Sequence, residues 1–452
     1  MKSVCVIGLG YVGLPLACLC AKKGLNVIGL DKKQSVVDLT NEGKCHIQDN
    51  KLQQWLLESK EKLIATTNSD DISEISIYVI CVPTPVDANK DPDLTPLISV
   101  SETISKYLKK EDLVIVESTI FPGTCEEHIL PILEKSGLIG GEDFYLAHCP
   151  ERVNPGDVFW DTENIPRVVG ALTEKGTEKA AEFYQRILGG EIFDVKDIKD
   201  KLRPKIIPTE KGYMINTMPL HSIIKMHSIK DAEAVKAMEN SVRDVNIAFV
   251  NELAKISDVL GLDVVDIIDG MSTKPFGKGP FYPGIGVGGH CIAVDPEWLK
   301  AASMKAGFFP KIIQIARDTN NSMPFYSVEL LENKIGNLEK KKIALLGVTY
   351  KGNIDDPRES PYYEVKKILL DKKAIIEVFD PLFKKENTVE SMDEALEKSD
   401  YLIIVTDHKY FSDKLTFEKL ETHDIKFVLD GRNCIDPLLF VNKKIKYSGI
   451  GR

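Results

Sequence analysis

A glycine motif follows the first apolar run of the chain: residues 3–13 read SVCVIGLGYVG. In this spacing Gly8 makes a tight turn, Gly10 lets the backbone approach a pyrophosphate, and Gly13 lets the next helix pack closely. A second strand pattern ends at Asp31, whose carboxylate can accept hydrogen bonds from ribose hydroxyls. Strand, turn, helix and acidic residue in this order predict a dinucleotide-binding domain.

The residues around this motif indicate which dinucleotide is bound. The Asp31 carboxylate repels the extra phosphate of NADP and therefore favours NAD. The positive charges of Lys32 and Lys33 would instead attract that phosphate. Segments 81–85 and 117–124 end two further strand patterns, where open α/β sheets bind ligands, although ordinary turn chemistry explains their prolines and hydroxyls equally well. The predicted NAD-binding residues are Gly8, Gly10, Tyr11, Val12, Gly13, Asp31, Pro83, Thr84 and Thr119.

The rest of the chain alternates strand and helix patterns. β-Branched runs alternate with amphipathic stretches over about the first 195 residues, one helical pattern runs from Asp231 to Gly261 with Glu233 suited to its positive end, and strands return at KKIALLGV. We predict an α/β fold in which a long central helix joins two Rossmann-like domains, each with a doubly wound parallel sheet. The predicted parts are an NAD-binding domain (1–196), an atypical connecting segment (197–230), a central helical region with a cysteine loop (231–336) and a second Rossmann-like domain (337–452).

Composition narrows the function classes. The chain has 452 residues, 43% hydrophobic and 28% charged, which is ordinary for a folded globular protein of two or three domains. Acidic residues number 68 against 58 basic ones, and the formal charge of -10 argues against nucleic acid as a partner. No apolar run approaches the roughly 20 residues that span a bilayer, and the glycines of the N-terminal run favour a strand over a signal peptide. We expect a cytoplasmic protein without a membrane partner.

Cysteine and histidine spacing predicts no metal site. The nine cysteines are scattered and form no CxxC pair, so we expect reduced thiols rather than disulfides or zinc ligands. His221 and His227 lie in the connecting segment without a third ligand spaced beside them, which favours a structural or surface role. That segment has three prolines and no clean period, and we assign no structure to it.

One cysteine has a context that suggests chemistry. Residues 283–295 read PGIGVGGHCIAVD, so Cys291 follows a run of glycines and precedes Asp295 by four positions. Glycines permit close approach of a substrate, and a thiolate is an effective nucleophile for a carbonyl carbon. A buried cysteine in a tight loop is the alternative. His290 is a weaker candidate for activating Cys291, because adjacent side chains need not converge.

Several motifs together resemble those of one enzyme family. The segment GVGGHCIAVDP is similar to the catalytic motif of the nucleotide-sugar 6-dehydrogenases, the UDP-glucose and GDP-mannose dehydrogenase family. Further motifs match in the family's order: GLGYVGLP, CVPTP, the STxxPGT loop, CPER at 149–152, EAVKAMEN at 233–240, DPRES at 356–360 and DGRN at 430–433. The resemblance covers nearly the whole chain, and only the connecting segment departs from it, being longer than usual.

The resemblance implies a four-electron oxidation with NAD as the cofactor. The C6 alcohol of a nucleotide sugar becomes an aldehyde and then a carboxylate. Cys291 would add to the aldehyde, and the resulting thiohemiacetal would be oxidised to a thioester that water hydrolyses. An aldehyde offers no carbinol hydride until a nucleophile adds to it, which explains why a dehydrogenase would need this cysteine.

Further residue roles come from the same resemblance. Lys236 and Asn240, one helical turn apart, would stabilise an oxyanion at C6, and Lys236 would help to remove the alcohol proton. Glu151, Thr119 and Asp295 would order the hydrolytic water and act as base. The implied catalytic residues are thus Cys291, Lys236, Asn240, Asp295, Glu151 and Thr119. The implied substrate-binding residues are Glu151, Arg152, Val153, Lys236, Asn240, Gly288, Lys351, Arg358 and Arg432.

The sugar and the assembly stay open at this point. CPERV and GVGGHCIAVDP resemble the branch acting on UDP-N-acetyl-D-mannosamine; UDP-N-acetylglucosamine and UDP-glucose are the alternatives. A two-electron dehydrogenase and a catalytically inactive nucleotide-sugar-binding protein are the rival functions. The resemblance also implies that the second Rossmann-like domain binds the UDP part, and that the central helix makes a homodimer or higher oligomer, although its apolar stripe could equally pack within its own chain.

Overall fold

The computed structural model describes residues 3–47, 49–85, 92–153, 159–198, 206–209, 212–215, 219–274, 280–289 and 291–452. The chain forms two compact units, Met1–Glu239 and Asn240–Arg452. His290 and parts of the connecting segment lie outside the described residues.

A nine-stranded sheet forms the centre of the first unit. The strands of this unit are β1 (Ser3–Ile7), β2 (Asn26–Leu30), β3 (Leu63–Thr66), β4 (Ile77–Ile80), β5 (Leu113–Val116), β6 (Tyr145–His148), β7 (Arg167–Ala171), β8 (Ile192–Asp194), β9 (Ile206–Thr209), β10 (Gly212–Ile215) and β11 (Ile223–Lys225). The sheet order is β3-β2-β1-β4-β5-β6-β7-β11-β8, and β9 pairs separately with β10. All neighbours in the large sheet are parallel except β6 and β7. β4 and β5 are buried along their whole length, as central strands between two helical layers must be.

Helices cover the faces of this sheet. They are α1 (Gly13–Lys22), α2 (Gln34–Glu42), α3 (Asn50–Ser59), α4 (Thr95–Ser105), α5 (Leu130–Leu133), α6 (Glu174–Leu188) and the first turns of α7 (Ile229–Leu260). The sequence sets their ends locally: Thr173 caps α6 by accepting from the Gly176 N–H, and Gly189 ends it in a left-handed conformation. α1 is apolar and almost wholly buried, so it belongs to the core.

A smaller parallel sheet forms the second unit. Its strands are β12 (Lys342–Leu346), β13 (Ile375–Phe379), β14 (Tyr401–Ile404), β15 (Phe427–Asp430) and β16 (Lys446–Gly449), in the order β13-β12-β14-β15-β16. Its helices, after the end of α7, are α8 (Val264–Ser272), α9 (Asp295–Lys305), α10 (Lys311–Ile335), α11 (Pro361–Asp371), α12 (Met392–Glu397), α13 (Lys409–Lys414) and α14 (Phe417–Thr422). Separate apolar clusters lie on the two faces of the sheet.

The structure confirms the predicted α/β class, with two mostly parallel sheets and a long helix between them in sequence. The predicted helix from Asp231 is α7, which begins at Ile229 and ends at Leu260. Two details escaped prediction: the antiparallel β6–β7 pair, and strand β11, which the unassigned connecting segment contributes to the large sheet between β7 and β8. β11 is only three residues long, too short to show a periodicity.

Candidate functional site

The glycine motif forms the turn between β1 and α1. Gly8 has φ +91°, and its N–H donates to the Leu30 carbonyl at 2.8 Å. A Cβ on Gly13 would lie 1.8 Å from the Gly8 carbonyl oxygen, so only glycine allows this helix start. Within the described part of the chain, a Cβ on Gly10 would meet nothing within 4 Å. The structure therefore confirms the turn at Gly8 and the close packing at Gly13, and it leaves open space at Gly10 that suits a pyrophosphate.

Asp31 stands at the end of β2 and is tied to the same turn. Its carboxylate accepts hydrogen bonds from the N–H groups of Leu9 at 2.8 Å and Lys33 at 2.9 Å. The side chain is half-buried, so part of the carboxylate remains available to a ribose. Tyr11 is 52% exposed beside the turn, and Val12 packs against the core. These residues fit a dinucleotide at the carboxyl edge of the sheet.

Two neighbouring strands bring further predicted residues to that edge. Pro83 is exposed and Thr84 buried just after β4, and Thr119 is half-buried just after β5. Ser118 connects the two segments, because its hydroxyl donates to the Val82 carbonyl at 2.7 Å. β1 and β4 are adjacent in the sheet although β2 and β3 come between them in sequence, so these segments lie at the switch point where open α/β sheets bind ligands.

Glu151 and Arg152 follow β6, the next strand in the sheet. Glu151 is buried, and both of its carboxylate oxygens accept from the Val153 N–H, at 2.8 and 2.9 Å. Arg152 donates through Nε to Glu239 on α7 at 3.0 Å and through Nη1 to the Pro166 carbonyl at 3.0 Å. Arg152 is therefore held by protein partners, and sequence reasoning gave no sign of Glu239 as its partner.

Lys236 lies half-buried on α7, and an unpredicted histidine lies near it. His148, the last residue of β6, is 1% exposed, and its Nδ1 has no hydrogen-bond partner among the residues that the structure describes. Burial, reinforced by the positive charge of Lys236, lowers the pKa of His148 to about 3. His148 is therefore neutral at physiological pH and adds no positive charge beside Lys236.

The second unit holds the cysteine and its acidic neighbour. Cys291 is half-buried at the start of a turn, and its carbonyl accepts from the Asp295 N–H at 2.8 Å. Asp295 begins α9 and is 2% exposed. Its Oδ2 accepts from the Asn240 amide at 2.6 Å. The structure thus brings Asn240 and Asp295 into direct contact, with Cys291 one turn away.

The glycines before Cys291 pack against protein. A Cβ on Gly288 would lie 2.5 Å from the Glu359 carbonyl oxygen and 2.7 Å from the Tyr350 Cβ. The Gly289 N–H donates to the Arg358 carbonyl at 3.0 Å. Close packing against the segment after β12 explains why position 288 is a glycine. The sequence suggested a different reason, the approach of a substrate.

The predicted cations of the second unit lie on that segment and after β15. Arg358 is half-exposed and forms an ion pair with Asp356 at 2.6 Å. Arg432 donates to the Tyr350 carbonyl at 2.8 Å and to the Val405 carbonyl at 3.1 Å. Lys351 is half-buried beside Tyr350. Arg432 therefore fastens the Lys351 segment to the end of β14.

A buried polar cluster that the sequence did not reveal supports the same segment. His408 Nε2 lies 3.0 Å from both Asp380 Oδ2 and Thr349 Oγ1, and the three side chains are almost completely buried. The Asn353 N–H donates to His408 Nδ1 at 3.0 Å. The histidine thus joins the ends of β12, β13 and β14.

The described residues form neither a metal-binding cluster nor a membrane-spanning helix. Within the described ranges, no three His, Cys, Asp or Glu side chains are grouped so that they could hold a metal ion. Across the same residues, no helix combines the length and apolarity that crossing a bilayer requires.

Comparisons with known proteins cover almost the whole chain. Models of the UDP-glucose/GDP-mannose dehydrogenase family match as the NAD binding domain over residues 2–188, the central domain over 230–322 and the UDP binding domain over 344–437. The UDP-N-acetyl-D-mannosamine dehydrogenase of Methanococcus maripaludis is 35% identical, over 100% of this chain and 97% of the relative. The UDP-N-acetyl-D-glucosamine 6-dehydrogenase of Pseudomonas aeruginosa is 36% identical, over 86% of this chain and 84% of the relative. The solved UDP-D-ManNAc dehydrogenase of Pyrococcus horikoshii superposes with a TM-score of 0.86 at 33% identity, covering 100% of this chain and 99% of that one.

Proposed function

The chain belongs to the UDP-glucose/GDP-mannose dehydrogenase family and is an NAD-dependent nucleotide-sugar dehydrogenase, and we propose that it oxidises the C6 hydroxyl of UDP-N-acetyl-D-mannosamine to the carboxylate. The choice of sugar rests on how much of the chain aligns with each relative. The UDP-N-acetyl-D-mannosamine dehydrogenase of Methanococcus maripaludis aligns with 100% of this chain, whereas the UDP-N-acetyl-D-glucosamine 6-dehydrogenase of Pseudomonas aeruginosa aligns with 86% of it. UDP-N-acetylglucosamine and UDP-glucose are the alternative substrates.

The first oxidation converts the alcohol to an aldehyde. NAD, when bound at the Gly8–Gly13 turn, accepts the hydride in each oxidation. We assign removal of the hydroxyl proton to Lys236 in its neutral amine form, because only the deprotonated side chain can accept a proton. The Asn240 amide would stabilise the oxyanion that develops at C6.

The second oxidation uses Cys291. Its thiolate adds to the aldehyde carbon, and the oxyanion takes a proton to give the thiohemiacetal. Loss of the carbinol hydride to the second NAD, together with loss of the hydroxyl proton to a base, then leaves a thioester. Water then cleaves the C–S bond, which gives the carboxylate and returns the thiol. Asp295, held by Asn240, and the buried Glu151 are the carboxylates we propose for ordering and deprotonating that water, together with Thr119.

The eight other cysteines support the assignment to Cys291. Burial raises the pKa of each of their thiols above the ordinary value. A protonated thiol is a poor nucleophile, so these side chains supply little thiolate at neutral pH. Six of them are buried, as the sequence predicts for most of the cysteines, and the half-buried Cys45 and Cys434 pack against the apolar clusters.

The substrate test measures NADH formed per sugar consumed, with NAD and each of three UDP-sugars. We expect two NADH per UDP-N-acetyl-D-mannosamine and little turnover of UDP-N-acetylglucosamine or UDP-glucose. Two NADH with another sugar would keep the mechanism and overturn the substrate. One NADH per sugar would indicate a two-electron dehydrogenase, and NAD binding without reduction would indicate an inactive binding protein.

Cofactor preference gives a separate prediction at Asp31. The substitution Asp31→Asn removes the negative charge that repels the extra phosphate of NADP. The ratio of kcat/KM with NAD to that with NADP should fall about tenfold, which is about 1.4 kcal/mol and within the range of one charge-assisted hydrogen bond. Asp38→Asn is the matched control, because Asp38 is exposed on α2. An unchanged ratio in Asp31→Asn would contradict the role of this carboxylate.

Oligomeric state and compartment belong to the same proposal. We propose a homodimer or higher oligomer in the cytoplasm, with UDP-sugar as the small-molecule partner. Exposed apolar side chains on α7, including Met238 and Phe249, provide surface for such an interface. Sedimentation of the purified protein would measure the mass directly, and a monomer at all concentrations would exclude the dimer.

A further inference from the structure

A buried carboxylate on α7 holds the loop that follows β5. Glu233 is 1% exposed, although carboxylates are seldom fully buried without partners. Its Oε2 accepts from the Gly123 N–H at 2.5 Å and its Oε1 from the Cys125 N–H at 2.8 Å. Both oxygens are thus used on backbone groups 108 and 110 residues earlier in the chain.

The loop is also fixed at its other end. The N–H groups of Glu117 and Ser118 donate to the Ile80 carbonyl, and the Ser118 hydroxyl donates to Val82. Thr119 lies between this anchor and the two amides that Glu233 accepts from. Within the loop, the Thr124 hydroxyl donates to the Phe121 carbonyl at 2.7 Å. The position of Thr119 therefore depends on Ser118 at one end and Glu233 at the other.

Glu233 also belongs to the helix that carries Lys236. The two residues are three positions apart on α7, so their side chains leave the same side of the helix. The carboxylate accordingly connects the turn bearing Lys236 to the loop bearing Thr119. An acidic side chain that only complemented the helix dipole would not need to be buried or to accept from two amides of another segment.

We infer that Glu233 is a positioning residue for the oxidation. It holds the 118–125 loop in a fixed position relative to the turn of α7 that carries Lys236. This inference rests on the proposed function, because Thr119 and Lys236 are the residues whose positions it fixes. A misplacement of about 1 Å in such groups lowers turnover by up to about a hundredfold. Glu233 itself touches backbone amides and takes no part in the chemistry.

The test compares Glu233→Gln with Glu126→Gln. The first substitution keeps one acceptor and turns an amide NH2 towards a loop N–H. The second removes a carboxylate that pairs with Lys230 beside the same loop and leaves both loop amides bonded. We expect kcat of Glu233→Gln to fall about 10- to 100-fold while KM for the UDP-sugar stays within about twofold. Glu126→Gln should keep the wild-type kcat.

Hydrogen exchange supplies a readout that does not depend on catalysis. The amides of Gly123 and Cys125 should exchange at least about tenfold faster in Glu233→Gln, while those of β5 are unchanged. If the wild type oxidises no UDP-sugar, the proposed function fails. The exchange rates of the Gly123 and Cys125 amides then still show whether Glu233 holds the loop. Glu233→Asp, which keeps the charge on a shorter side chain, should recover part of both effects.

Several results would overturn the inference. Wild-type kcat in Glu233→Gln would do so, as would an equal loss of kcat in Glu126→Gln, because the cause would then be local charge. Unchanged exchange at Gly123 and Cys125 would show that the carboxylate does not hold the loop. A fall in kcat matched by a general loss of exchange protection and of thermal stability, in Glu233→Asp as well, would reduce Glu233 to a structural residue.

Discussion

Replacing Cys291 with alanine is expected to lower the rate of carboxylate formation at least about 10³-fold, the scale on which loss of a covalent nucleophile acts in other enzymes. Without the thiol the aldehyde forms no thiohemiacetal, and no carbinol hydride remains for the second oxidation. Stopped-flow absorbance at 340 nm, calibrated per active site, measures the hydride transfers, and mass spectrometry of the quenched sugar identifies the product.

Cys434→Ala is the matched control. Cys434 is a half-buried cysteine of the same unit, its thiol lies 3.6 Å from Asp430, and burial raises its pKa. This variant should keep the wild-type yield of two NADH per sugar. If Cys291→Ala also kept that yield, the covalent mechanism would be wrong, and hydration of the aldehyde by water would have to replace it.

The local parts of the fold and site followed from sequence. The turn at Gly8, the close packing at Gly13 and the acidic end of β2 depend on residues within one βαβ unit, where spacing alone constrains geometry. The family motifs extended the prediction to the cofactor and the enzyme class, and the family comparisons confirm NAD and a nucleotide-sugar dehydrogenase.

Contacts across long sequence separations did not follow. Glu233 looked like an ordinary acid near a helix N-terminus, but its carboxylate serves a loop more than 100 residues away. His148 reads as one residue of a strand, and nothing in its neighbours shows that β6 ends near Lys236. Such pairs depend on which strands and helices become adjacent, which local periodicity does not encode.

The glycines before Cys291 show a related limit. A run of glycines indicates that something approaches the backbone closely, and the sequence cannot tell a ligand from a protein segment. Tyr350 and the Glu359 carbonyl occupy that space at Gly288. The sequence suggested that a substrate approaches these glycines, whereas the close neighbour at Gly288 is a segment of the chain itself.

The largest expected effect on stability is at a buried ion pair beneath the cofactor edge. Arg167 and Glu117 are both fully buried, with Nη1 and Oε2 3.4 Å apart, and the Tyr184 hydroxyl donates to Glu117 at 2.5 Å. Burial raises the pKa of Glu117 even though the charge of Arg167 opposes the shift. Removing Arg167 would leave a carboxylate in the core whose one remaining hydrogen-bond partner among the described residues is Tyr184.

Arg167→Met is therefore expected to destabilise the first unit by about 3–5 kcal/mol, the usual cost of breaking a buried pair on one side. Urea unfolding measures this loss of stability. The transition of the first unit is identified as the one that moves to a higher urea concentration when NAD is added. The double variant Arg167→Met/Glu117→Gln should recover most of the loss, because the unpaired charge is gone. An equally unstable double variant would show that Arg167 acts through packing.

The pH dependence of these variants separates charge from packing. In Arg167→Met the folded pKa of Glu117 should rise further above its ordinary value of about 4.3, so the folded state binds a proton that the unfolded state does not. The stability of Arg167→Met, relative to the double variant, should therefore increase as the pH falls from above the raised pKa towards about 4.3. It should reach its maximum below about pH 4.3. The double variant has no carboxylate at this position, and it serves as the reference that cancels every other titration. A stability difference that stayed constant with pH would mean that the pKa of Glu117 in folded Arg167→Met equals that in the unfolded chain, and that Tyr184 or water compensates the charge.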